Sequence, residues 1–155
     1  MLEFKTPQIE DKAWVDQCFK HLKTMNCDYT FGNMFVWSTE YSTKICRFKD
    51  FFICSWGMGK ETNFGIPVGK GDFKEAVEEV IKYAKANDIM PRFYGVTEAY
   101  VEMLNENFPD AFQFSYDEGY GDYIYEVEKM ASLKGKKYHG KRNHITNFKK
   151  NNPNW

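Results

Sequence analysis

Residues 63–96, NFGIPVGKGDFKEAVEEVIKYAKANDIMPRFYGV, decide the fold class. Asn63 to Val68 reads as a strand. Asp72 then stands where a helix cap belongs, and the helix runs to about Asn87, with Phe73, Ala76, Val77, Val80, Ile81 and Ala84 on one side. Glu78 and Lys82 form a supporting i, i+4 pair, and Glu75, three after Asp72, has the spacing of a capping box. Pro91 to Val96 reads as a short strand. Strand, capped helix and strand in succession call for a sheet backed by helices.

Working outward, the N-terminal side opens with a helix from Pro7 to Lys23, carrying Ile9, Ala13, Trp14, Cys18, Phe19 and Leu22 at helical spacing. A short aromatic helix, Phe31 to Trp37, follows. Thr43 to Lys49 and Phe51 to Trp56 form a hairpin about Lys49-Asp50 that lacks the usual glycine. On the C-terminal side Thr97 opens a helix to about Asn107, which Pro109 ends. Phe112 to Tyr116 and Asp122 to Glu128 read as the last strands, the second with Tyr123, Tyr125 and Val127 on one face. The expected class is α/β (α+β), a mixed central sheet flanked by helices.

The chain has 155 residues, enough for one domain, and its aromatic fraction of 18% with only 11 Gly and 5 Pro excludes a disordered polymer. No apolar run reaches the roughly 18 residues of a membrane helix, and the N-terminus lacks a signal-peptide pattern, so a cytoplasmic protein is expected. Cys18, Cys27, Cys46 and Cys54 contain no C-x-x-C pair and read as reduced, packed thiols. Cys18 and His21 share a helix face with Cys27 nearby, but a fourth ligand is missing, so no metal is expected.

Charge is divided sharply along the chain. From Lys134 to Trp155 there are six Lys and one Arg and no acidic residue, a charge of +7, whereas residues 1–133 hold 14 basic and 22 acidic side chains, a charge of −8. The total of −1 therefore hides two blocks of opposite sign.

Two segments carry a family resemblance: Asn26-Cys27-Asp28-Tyr29-Thr30-Phe31-Gly32-Asn33, and Asp122-Tyr123-Ile124-Tyr125 leading through Leu133 and the run Lys136-Lys137-Tyr138-His139-Gly140-Lys141-Arg142-Asn143-His144-Ile145 to Phe148-Lys149-Lys150. Together with the element order they resemble a bacterial family of uncharacterised tandem GNAT-like proteins related to the C-terminal domain of phosphatidylglycerol lysyltransferase. The resemblance implies a GNAT-like acyl-CoA N-acyltransferase fold over residues 1–133 and a basic connecting helix over 134–155, with the second GNAT-like half absent. The lysyltransferase and the related Fem peptidyltransferases move an aminoacyl group from aminoacyl-tRNA to a lipid or a peptidoglycan precursor. By that resemblance the donor would be aminoacyl-tRNA or acyl-CoA, the acceptor a lipid or peptide, and the catalytic groups would lie largely in the other half. The implied partners are that half or a second copy, and tRNA, with any membrane contact peripheral.

The candidate contact residues are Lys136, Lys137, Tyr138, His139, Lys141, Arg142, His144 and Lys149. On a wheel, Lys137, Lys141, Arg142 and Lys149 lie within about 160° together with Tyr138, Ile145 and Phe148. Cations among apolar anchors suit a surface that contacts phosphates, as in tRNA or lipid headgroups, and equally a helix that packs between lobes with its lysines reaching solvent. His139 and His144, five apart, diverge by about 140° and cannot be an i, i+4 metal pair. Gly69-Lys70-Gly71-Asp72 sits where a coenzyme A loop would, but Asp72 would occupy and repel at the donors a phosphate needs. Asp117, Glu118, Asp122, Glu126 and Glu128 are carboxylates for a general base, with solvation the default, and Tyr116, Tyr120, Tyr123 and Tyr125 resemble a lined groove while also fitting ordinary strand packing. Three functional readings stand: one lobe of an acyltransferase or aminoacyltransferase, a non-catalytic module binding RNA, anionic lipid or protein, and a stand-alone acetyltransferase.

Overall fold

In the computed structural model, which describes all residues except Met1, Lys23, Met25, Asp117, Asp122, Trp155 and the side chain of Tyr120, the chain divides into two units, Met1–Ser115 and Tyr116–Trp155. The change of composition after Leu133 falls inside the second unit. The first unit carries a mixed sheet built on β1 (Lys44–Phe48), β2 (Phe51–Trp56), β3 (Asn63–Gly65), β4 (Val68–Gly69) and β5 (Phe93–Tyr94). Its order is β1-β2-β3-β5, with β4 also on β2.

The hairpin forms where the pattern puts it, with Phe48 opposite Phe51 across Lys49-Asp50. Lys49 takes a left-handed φ of 53°, a conformation that costs about 1 kcal/mol in a residue with a side chain. That side chain has a task, since the Lys49 ammonium pairs with Glu75 and lies 5.4 Å from the Phe48 ring centre.

The strand expected over Asn63 to Val68 is interrupted. Ser55 faces Phe64 and Phe52 faces Val68, so three steps on β2 are matched by four on the opposing segment. The extra residue lies at Gly65 to Pro67, and Pro67 has no N–H to continue the ladder. β5 pairs parallel to β3 for two residues only, Phe64 with Phe93 and Gly65 with Tyr94. The strand expected from Pro91 to Val96 is therefore the two residues Phe93–Tyr94.

α3 (Phe73–Ala86) makes the parallel crossover. Asp72 caps it by accepting the Glu75 N–H at 3.0 Å, while Glu75 turns to Lys49 and Lys82 pairs with Glu79 rather than Glu78. Its Val80 and Ala84 pack with Ile53 and Phe64 on one face of the sheet. The other face takes α1 (Lys12–Phe19), whose Trp14 and Phe19 rings meet Phe52 at 5.9 and 4.9 Å, and α2 (Phe31–Trp37), whose Phe31 is buried in the same cluster. α4 (Glu98–Asn107) stacks Tyr100 on Phe73 at 5.9 Å and buries Leu104.

The first helix is shorter than its apolar spacing predicts. Thr6 and Pro7 lie outside any helix, Lys5 bridges Ile45, a 3-10 turn occupies Ile9–Asp11, and α1 runs only to Phe19; Lys23 lies outside the described residues. The organising group is Asp11, which is buried and accepts from the Lys5 ammonium at 2.6 Å, the Gln8 N–H at 2.9 Å and the Trp14 indole at 2.9 Å. Burial raises the Asp11 pKa, but these donors outweigh it and hold the carboxyl below its ordinary value. Because the folded pKa is depressed, the stabilisation is present above the unfolded value of about 4 and is lost as pH falls through the folded one. Asp11→Asn is expected to cost about 1–3 kcal/mol at pH 7, from urea titrations, and the difference from the parent protein should shrink at acid pH. A difference independent of pH from 7 down to 3 would show that the carboxylate charge plays no part.

The last two expected strands do not form among the described residues. Residues 111–116 and 123–126 are irregular, and Val127 begins a helix; Asp122 lies outside the described residues. Alternation specifies a strand only when one face is buried and a neighbour takes the ladder hydrogen bonds. Here Tyr116 is 87% and Tyr123 88% exposed, so neither condition is met.

Candidate functional site

The second unit is a bent helical segment. α5 (Val127–Ser132) ends at Leu133, whose left-handed φ of 47° turns the chain, and Gly135 at φ 97° turns it again. A 3-10 turn, Lys136–Tyr138, then leads into α6 (His139–Asn151). Arg142 closes this corner: its Nη1 donates to the Leu133 carbonyl and, at 2.9 Å, to the Gly135 carbonyl. Fixed carbonyls nine and seven residues back thus hold α6 to its own leader.

The predicted contact residues are distributed accordingly. Lys136 and Lys137 are exposed on the 3-10 turn, with Tyr138 half-buried beside them. His139, Lys141, His144 and Lys149 are exposed on α6, and the His139 Nε2 lies 3.2 Å from the Asn143 amide nitrogen. Arg142 is half-buried and turned back to the corner. Ile145 is 45% and Phe148 52% exposed, and with His144 and Lys149 they line a shallow depression. Among the described residues, Lys134, Lys136, Lys137, Lys141 and Lys150 have no carboxylate at ion-pair distance, so their charge is directed to solvent or a partner. Apart from the backbone of its own helix and its chain neighbours, Gly140 has no atom within 4 Å of where a methyl would stand.

The other candidates separate from this surface. Glu126 pairs with Lys129 at 2.6 Å, Glu118 and Glu128 are exposed, and Asp117 and Asp122 lie outside the described residues. Tyr116, Tyr123 and Tyr125 are exposed, while the Tyr120 side chain is not among those described. Gly69 to Asp72 is a closed turn: a methyl on Gly69 would fall 2.1 Å from the Asp50 carbonyl oxygen, and Asp72 accepts the Glu75 N–H in the first turn of α3.

One arrangement lies in a segment that the resemblance singled out without assigning it a role. The segment Asn26 to Asn33 is bonded to itself: Asn26 accepts from the Asp28 N–H at 2.7 Å, Asn33 donates its amide to Asp28 at 2.8 Å, and Thr30 donates to the Cys27 carbonyl at 3.0 Å. It presents Tyr29, whose ring edge meets Phe19 at 5.9 Å and whose hydroxyl lies where a methyl on Gly95 would stand 2.4 Å away. Burial, reinforced by the nearby Cys54, Tyr100 and Asp28, drives the Tyr29 phenol far above its ordinary pKa. Burial also pushes the Cys54 thiol up to about 12. These groups are protonated at neutral pH and serve as packing.

No helix among the described residues is long and apolar enough to cross a membrane. Comparison with known proteins gives two findings. The family model described as phosphatidylglycerol lysyltransferase, C-terminal, matches residues 19–155. A crystal structure of a conserved protein of unknown function from Bacteroides thetaiotaomicron is similar over 99% of this chain, at 32% identity and a TM-score of 0.82. This chain spans 52% of that one, about half its length. No curated protein matches the sequence.

Proposed function

Because the chain belongs to the phosphatidylglycerol lysyltransferase C-terminal family, we propose that it supplies one GNAT-like lobe, residues 1–133, and a basic connecting helix, 134–155, to a two-lobed acyltransferase or aminoacyltransferase. The donor is aminoacyl-tRNA or acyl-CoA, the acceptor a lipid or peptide, and the catalytic groups reside mainly in the partner lobe, in a cytoplasmic setting. The observation that carries this reading is the family match across 19–155, and the half-length correspondence with the Bacteroides protein supports the two-lobed part. The mixed sheet with one parallel pair after a helical crossover is compatible with a GNAT-like lobe. The exposed lysines of the 3-10 turn and α6 are the surface that meets tRNA phosphates.

The test is tRNA binding by the full chain across a salt series. Phosphate contacts release counterions, so affinity should fall steeply with salt, and Lys137→Ala with Lys141→Ala should lower both the affinity and the slope, by about one unit per lysine. Failure to bind tRNA at low salt would remove the tRNA role and leave α6 as a packing surface. Thermal stabilisation by saturating coenzyme A would instead favour a self-contained acetyltransferase.

A further inference from the structure

Open α/β sheets hold ligands in the crevice outside the carboxyl ends of parallel strands. In this chain that place lies beyond Gly65 and Tyr94, where the two-residue ladder of β3 and β5 ends on the bond from the Ile66 N–H to the Tyr94 carbonyl. Glycine stands on each side of it, and each glycine faces a side chain in the volume its own would take. A methyl on Gly65 would lie 2.5 Å from the Cys54 sulfur, and one on Gly95 would lie 2.4 Å from the Tyr29 hydroxyl. Ile66 and Pro67, which leave β3, are fully buried, and Val96 and Tyr100 pack into the same cluster.

We infer that the segment Asn26 to Asn33 is a built-in plug, with Tyr29 occupying the crevice at the ends of β3 and β5 so that this lobe holds no ligand there. Three features support it. The side-chain and backbone bonds within Asn26 to Asn33 fix the turn that presents Tyr29. Phe19 braces the ring edge-on from α1. The left-handed φ of 68° at Gly95 and the missing Cβ there both favour glycine, and the missing Cβ is what lets the hydroxyl seat against the backbone. Tyr29 is half-buried as a residue and lines a surface groove, whereas its hydroxyl end is desolvated. The inference stands on this geometry and is independent of the role given to α6.

Truncation and refilling test it. Tyr29→Ala should lower the melting temperature of the full chain by roughly 10 °C. Millimolar p-cresol, which has the shape of the deleted side chain, should restore several degrees to Tyr29→Ala and none to the parent protein. If Tyr29→Ala fails to fold, a cycle with Gly95→Ala decides: the added methyl should cost less in a Tyr29→Phe background than in the parent, by about 3 °C. Equal cost in both backgrounds overturns the plug. So does a Tyr29→Ala protein that melts within 2 °C of the parent and gains nothing from p-cresol. Stabilisation of the unmodified chain by p-cresol would show an open crevice and overturn it as well.

Discussion

Gly69→Ala is expected to lower the stability of the chain by more than about 3 kcal/mol, and urea titration should find the variant mostly unfolded or shifted to a far lower midpoint. The added methyl would lie 2.1 Å from the Asp50 oxygen, 2.8 Å from the Phe51 Cα and 2.9 Å from the Asp50 carbonyl carbon. All three are backbone atoms of the hairpin, so no rotamer change relieves the contact. Relief requires β4 to move off β2, and Val68, fully buried beside it, moves too. Gly140→Ala is the matched control, because the space around Gly140 outside its own helix is empty and the helix there gains up to about 1 kcal/mol from alanine. A Gly69→Ala protein within 1 kcal/mol of the parent would mean that β4 does not lie against β2 in solution.

Phe52→Ala is the second large effect, with an expected loss of about 3–5 kcal/mol. Phe52 is fully buried near the start of β2, between β1 and β4, and it is the sheet residue on which Trp14 and Phe19 of α1 both rest. Deleting the ring leaves a cavity and also removes two aromatic contacts, each contributing about 0.5–1.5 kcal/mol beyond area burial. Domains are commonly stable by only about 5–15 kcal/mol, so a loss of this size should be plain in a denaturant midpoint. Phe52→Leu should recover much of it by refilling the cavity. A small effect from Phe52→Ala would show that α1 is held by other contacts. Because Phe19 also braces Tyr29, the alanine variant should loosen the Asn26 to Asn33 segment, seen as faster amide exchange at Tyr29 than in the parent.

The elements legible from the sequence are those whose cause is local. The α3 stripe of Phe73, Ala76, Val77, Val80 and Ala84 is buried as its periodicity predicts, and Asp72 caps it. Phe31–Trp37 is a helix, and the hairpin turns at Lys49-Asp50 despite lacking glycine. The basic block and its exposure were also readable, because seven cations without an acid cannot be neutralised from within their own segment. The exposure of the candidate contact residues follows from the same charge block, except for Arg142, which shares the lysines' face on the wheel but is half-buried. A wheel shows which side chains share a face, but not that carbonyls seven and nine residues back would claim the guanidinium.

The sequence by itself determined the mixed α/β class, the main helix, the hairpin and the division of charge, since each follows from spacing within a few turns of chain. Tertiary structure decided the rest. The break at Gly65 to Pro67, the irregular path through Tyr123 to Glu126, and the seat of Tyr29 against Gly95 all depend on partners far along the chain. The physical reason is that alternation and helical spacing state which face a side chain would share, whereas a ladder, a close approach or a filled crevice exists only when a second segment comes to meet it.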